Sequence, residues 1–229
     1  YICLFFIIPY FYLFAPTARR SANEYWAIRR PEAGFFVRQG LILRQLFRFG
    51  QLWLDRIYQG TQTTPQFITN PPGMSHITQA RKQGHGVLLV GAHVGGWDLA
   101  TSLLPVDGFE GRLHVLRYEA EGLTLSKLAG EQGLTHVKTI ASERGESLIL
   151  EIRALLASGE AVALMGDRPM GTHVELIPFL GKLTPIDCTA YRIAAACGAP
   201  VIFTAGFKST GRGYDFYASE PLFCGVGPG

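Results

Sequence analysis

One histidine and one aspartate, five positions apart with two glycines between them, carry the clearest chemistry in this 229-residue chain. They are His93 and Asp98, in Gly-Val-Leu-Leu-Val-Gly-Ala-His-Val-Gly-Gly-Trp-Asp-Leu-Ala at residues 86–100. On one continuous helix such residues point about 140° apart, and on one strand they face opposite sides, so they meet only if the backbone turns between them. Gly95 and Gly96 permit that turn, because glycine reaches backbone conformations closed to other residues. The spacing predicts His93 at the end of a strand and Asp98 in the first turn of the next helix. An imidazole whose second nitrogen is held by a carboxylate has a fixed tautomer and is suited to taking a proton from a hydroxyl that attacks a carbonyl. A second His-x4-Glu match, His114 to Glu119, has no glycine between its members and reads as a strand and its end, a chance occurrence.

The elements that must position this pair follow from the apolar pattern. From residue 74 onward, apolar runs at 86–91, 112–117, 136–140, 161–166 and 200–205 alternate with helical stretches near 75–84, 97–104, 121–132, 143–158 and 185–197. The last helix has the clearest ends: Thr184 as cap, Pro185 in first position, Asp187 at the third, and Gly198 as terminator. The pattern predicts an α/β fold with a largely parallel central sheet flanked by helices over 74–229. Strand ends are where such a sheet presents ligand-binding groups, which singles out Asp167 and Arg168 after the run AVALMG, and Arg117 at the end of LHVLR. A guanidinium fork matches a phosphate or carboxylate bidentately; the alternative is a structural ion pair or a turn cap for Asp167 and Arg168, and a solvated surface arginine for Arg117.

The amino-terminal quarter has another character. Residues 1–18 carry no charge, are mostly Phe, Ile, Leu and Tyr, and run directly into Arg19-Arg20. As a helix they would span about 27 Å, just short of the hydrocarbon core. We expect a transmembrane or membrane-inserted helix cut from a longer segment, since the chain starts at Tyr1, with a buried core helix as the alternative. The arginines after it place the catalytic body on the cytoplasmic side of the membrane. Residues 19–73 form a basic, membrane-proximal helical region. Within it, 36–58 segregate Arg38, Arg44, Gln45, Arg48, Gln51, Asp55 and Arg56 from Ile42, Leu43, Leu46, Phe47, Phe49, Trp53, Leu54 and Ile57. That pattern suits packing on a sheet or lying in a lipid interface. The carboxyl end at Gly229 reads as truncated too.

Composition sets outer limits. With 48% hydrophobic and 17% charged residues the chain is apolar for a soluble protein. Cys3, Cys188, Cys197 and Cys224 show no metal-ligand spacing and read as reduced cytoplasmic thiols; we expect neither a metal nor a cofactor. The arginine concentration beside apolar sequence points to an anionic membrane surface as partner, and not to nucleic acid, for which no motif is present.

Four blocks in order, GAHVGGWDLA, ALMGDRPMG (163–171), IPFLGK (177–182) and AAACGAPVIF (194–203), resemble the bacterial lipid A biosynthesis acyltransferases of the lysophospholipid acyltransferase superfamily. The resemblance is closest to the branch that writes the first motif H-x-G-G-W-[DE], and it spans roughly residues 20–220. It implies an α/β acyltransferase that moves a fatty acyl group from an acyl carrier protein or coenzyme A thioester to a hydroxyl or amine of a membrane lipid acceptor. His93 would be the base and Asp98 its orienting partner. Gly95, Gly96, Trp97, Arg117, Asp167 and Arg168 would contact substrate, and Phe179, Leu180 and Gly181 would shape an apolar wall for the acyl chain, with ordinary core packing as the alternative. Where that family usually has glutamine after the aspartate, this chain has Arg168, as does the similar branch. A lipid hydrolase using the same two residues on water, or a noncatalytic lipid-binding protein, are the other functions compatible with the sequence.

Overall fold

The computed structural model describes residues 1–61, 68–70, 73–82, 86–96, 99, 112–117, 137–141, 146–168, 173–211 and 213–225. They fall into two compact units, one made of residues 1–58 with 177–184, the other of residues 59–176 with 185–229.

The first unit is mainly helical: α1 (Leu4–Phe14), α2 (Pro16–Arg29) and α3 (Phe35–Gly60). The expected single helix over residues 1–18 is not what forms. Pro16 disfavours the helical region for the residue before it, and Ala15 sits at φ −112°, ψ 74°, which ends α1 after 11 residues. That length is about 16 Å, half a hydrocarbon core. Among the described residues no helix is long and apolar enough to cross a membrane. On α1, Leu4 and Ile8 are buried, while Phe5, Phe6, Tyr10, Phe11, Leu13 and Phe14 are exposed. Phe5 meets Phe47 of α3 with ring centroids 5.4 Å apart, and the Tyr1 hydroxyl donates to Asp55 of α3. The amphipathic pattern of α3 is therefore not simply apolar side inward: Gln51 and Asp55 are buried, whereas Phe35, Phe49 and Ile57 stay exposed.

A hairpin joins this unit in part. β6 (Val174–Phe179) and β7 (Lys182–Asp187) form a two-stranded sheet around a two-residue turn in which Leu180 has φ 49° and Gly181 φ 78°. Positive φ at both central positions is the type I′ turn that matches the twist of a tight hairpin. The sequence reading placed a helix from Pro185; instead β7 runs to Asp187 and the helix starts at Thr189, whose N–H donates to Asp187 Oδ1 at 2.8 Å. Thr-Pro-x-Asp looks like a helix start, but a proline also fits a strand in a sheet with only one paired edge. The predicted end is where it was expected: Gly198 takes φ 63° and bonds back to the Ala194 and Ala195 carbonyls.

The second unit is the α/β body. It contains β1 (Ile68–Asn70), α4 (Met74–Lys82), β2 (Val87–Gly91), β3 (Leu113–Arg117), β4 (Val137–Ala141), α5 (Glu146–Ala157), β5 (Ala161–Met165), α6 (Thr189–Cys197), β8 (Pro200–Lys208), β9 (Gly213–Ala218) and β10 (Leu222–Phe223). The sheet order is β1-β9-β8-β2-β5-β3-β4, with β10 beside β8. All neighbours run parallel except β8 with β9 and β8 with β10. The predicted strands were continuous apolar runs because helices cover both faces. On one face Val87, Leu89, Leu113, Val115 and Ala161 pack with Ile77 and Ala80 of α4. On the other, Leu88, Val90, Val162 and Val201 pack with Ile152 and Leu156 of α5 and with Ala190, Ile193 and Ala194 of α6. The helical stretches expected at 97–104, apart from Leu99, and at 121–132 lie outside the described residues.

Candidate active site

The two central strands of the sheet carry the site. β2 and β5 pair in parallel with Val87 opposite Ala161 and Gly91 opposite Met165, a constant offset of 74 in sequence. The same offset holds past the strand ends, so the residue two beyond Gly91 meets the residue two beyond Met165. These are His93 and Asp167. His93 Nδ1 lies 2.8 Å from Asp167 Oδ1, and the His93 backbone N–H donates to Asp167 Oδ2 at 3.0 Å. One carboxylate thus fixes both the ring and the main chain of the histidine.

Nδ1 is thus the ring nitrogen that meets the carboxylate. About a third of each side chain remains accessible, 32% for His93 and 33% for Asp167. Partial burial pushes the Asp167 carboxyl upward, but the hydrogen bonds from the His93 ring and backbone, with the imidazole charge, outweigh it and hold Asp167 below the usual aspartate value. The carboxylate form is therefore the one the site favours.

The loop that carries His93 is pinned to β8. Gly95 has φ 71°, and a Cβ there would stand 1.9 Å from the Gly206 carbonyl oxygen. That same oxygen accepts the Gly96 N–H at 2.8 Å. Two reasons thus require glycine at position 95, the left-handed backbone and the close approach of a strand. The Gly96 N–H donates to protein, which narrows the substrate contact that the resemblance implied for it. Gly206 was missed in the sequence. A glycine inside a strand marks close approach by another backbone, and that signal was present in Thr-Ala-Gly-Phe-Lys.

The other expected site residues are distributed as follows. Asp98 and Trp97 lie outside the described residues; the carboxylate on His93 Nδ1 is that of Asp167. Arg168 follows Asp167 and is exposed. Arg117 ends β3, which pairs with β5, so its backbone stands at the same carboxyl edge of the sheet as Gly91 and Met165. Phe179 and Gly181 belong to the hairpin segment grouped with the helical unit. His114, in the other His-x4-Glu match, is an interior residue of β3 and 6% exposed. Its Nε2 has no hydrogen-bond partner among the described residues. Burial lowers its pKa below the ordinary 6.5, aided by Lys138 and Arg112 and opposed by Glu160 and Glu151. Among the described residues no cluster of His, Cys, Asp and Glu could hold a metal.

A sheet of mostly parallel strands, covered by helices and bearing a bonded imidazole and carboxylate where its central strands end, belongs to the open α/β class, in which ligands bind at that edge. No individually curated protein matches the chain. The chain belongs to the bacterial lipid A biosynthesis acyltransferase family, whose profile matches residues 37–224. Membership makes it an acyltransferase and agrees with the four sequence blocks.

Proposed function

We propose that the protein transfers a fatty acyl group from an acyl carrier protein or coenzyme A thioester to a hydroxyl or amine of a lipid A precursor or related lipid. The observation that carries this reading is the His93–Asp167 pair at the edge of the sheet. His93 Nε2 takes the acceptor's proton as its oxygen or nitrogen bonds to the thioester carbonyl carbon. As the carbon–sulfur bond breaks, the imidazolium returns that proton to the thiolate. Asp167 holds Nδ1–H and stabilises the imidazolium in between, a positioning role that the family resemblance gives to Asp98. Arg168 and Arg117, at the same edge, serve as phosphate or carboxylate contacts for the substrates. No covalent acyl-enzyme and no cofactor is required. The work takes place at the cytoplasmic face of the inner membrane, a placement supported by the arginine-rich helical unit.

The test is transfer of labelled acyl groups from acyl carrier protein and from coenzyme A to a lipid A precursor dispersed in detergent. Wild type should form the acylated lipid and His93→Ala should lose it. Release of free fatty acid at the same rate with and without acceptor would make the protein a hydrolase.

A further inference from the structure

The β6–β7 hairpin has an unusual surface. Along its tip Ile177, Phe179 and Leu183 are 43%, 57% and 66% exposed. A two-stranded sheet with so little covered is at best marginal in water. Its charges are arranged by height: Glu175 and Asp187 stand at the open end, while Lys182 stands beside the turn. The turn itself sits in a conformation that favours Asn or Gly at both positions, yet the first is Leu180 at φ 49°. A side chain kept in the left-handed region at a cost in backbone strain points to a use for that side chain.

The segment 177–184 groups with the helical residues 1–58, and this unit differs sharply in charge from the rest. It holds nine basic and three acidic residues, against twelve and fifteen in the remainder of the chain. Its exposed apolar residues are dominated by aromatics on α1 and α3, and the Arg56 guanidinium lies 5.1 Å over the ring of Trp53. Aromatic and aliphatic tips flanked by arginine and lysine suit the interface of an anionic bilayer, where apolar groups enter and cations stay at the headgroups.

We propose that the hairpin tip, Ile177 to Leu183, is a membrane-insertion element that seats the basic unit on an anionic lipid surface. The choice of lipid over another apolar partner rests on the acyl-transfer reading. The two ideas fail separately, because vesicle binding needs no transfer and transfer in detergent needs no vesicle.

The test is co-sedimentation of the full chain with vesicles of phosphatidylethanolamine and phosphatidylglycerol, and with phosphatidylcholine alone. Wild type and inactive His93→Ala should bind the anionic vesicles equally, and the neutral ones less. Leu183→Ser should weaken binding on the order of tenfold, about what removing one buried leucine from an apolar phase predicts. Leu180→Asn should do the same while raising the melting temperature, since asparagine suits that turn position. The higher melting temperature separates lost insertion from a damaged fold. Wild type that stays in the supernatant, or tip variants that sediment like wild type, overturn the proposal. So would a tip-dependent dimer in sedimentation velocity with no vesicle binding, which would assign the surface to a second copy.

Discussion

The two units solve opposite problems with apolar residues. In the α/β body, Val87 to Val90 are almost wholly inaccessible, and the strand ends they hold in register set an imidazole against a carboxylate. In the helical unit and its hairpin segment, many of the largest apolar side chains face outward and basic residues outnumber acidic ones three to one. Burial gives a fixed edge on which chemistry can be placed, whereas exposure gives the surface that we propose meets an anionic lipid interface. The proposed chemistry should therefore respond to changes in the helical unit's partner only through access to substrate, and attachment should ignore the state of the His93–Asp167 pair.

The sharpest way to break that division is His93→Ala. Transfer should fall by about 10² to 10⁴, with vesicle binding and melting temperature unchanged; a parallel loss of binding would mean the units are not separable. Next in size is Asp167→Asn, which preserves shape but can favour the wrong tautomer. A loss of about 10² or more in kcat is expected, with Asp98→Asn the milder of the two. The reverse order, measured under the same conditions, would return the orienting role to Asp98.

A smaller effect tests how the loop is held. A Cβ at Gly206 would lie 2.5 Å from the Phe216 ring and 3.3 Å from the Gly96 carbonyl carbon. Gly206→Ala should lower kcat roughly tenfold through displacement of the His93 loop and leave vesicle binding alone. Phe216→Leu in the same chain should recover part of the activity.

The smallest effect concerns His114. Its folded pKa is depressed, chiefly by burial, so the unfolded chain takes up the proton first as pH falls. Stability should then decline once the pH drops below the ordinary 6.5 and level off below the depressed folded value. Urea melts between pH 8 and 5 should show this slope in wild type and a flatter one in His114→Gln. Transfer at pH 8 should be the same in both, since His114 belongs to the core and not to the site.

Much of this was legible in the sequence, for reasons that differ by element. The five predicted strands were visible because a strand covered on both faces is apolar throughout, and His93 was visible because glycines crowd the turn after it. The partner on Nδ1 was not. Asp167 is 74 residues away, and nothing local encodes the register that aligns Gly91 with Met165. The hairpin was unreadable for another reason: Pro178 and Pro185 interrupt it, its exposed faces erase alternation, and Leu-Gly is not the usual I′ pair. The apolar start misled because eighteen uncharged residues suggest one helix, while Pro16 divides them; Pro9 is accommodated inside α1.

The seating of the Gly95–Gly96 turn on Gly206 has an implication for heat. Gly206 lies in β8 opposite Phe216 of β9, so the geometry of the His93 loop depends on a ladder toward one side of the sheet and not on the β2–β5 centre alone. Local opening of β8 from β9 needs less free energy than global unfolding when the rest of the core stays packed. A preparation warmed toward its midpoint should thus lose turnover while its helical circular dichroism is still intact. Amide hydrogens along Thr204–Lys208 should exchange early in that interval, those of Val87–Val90 late.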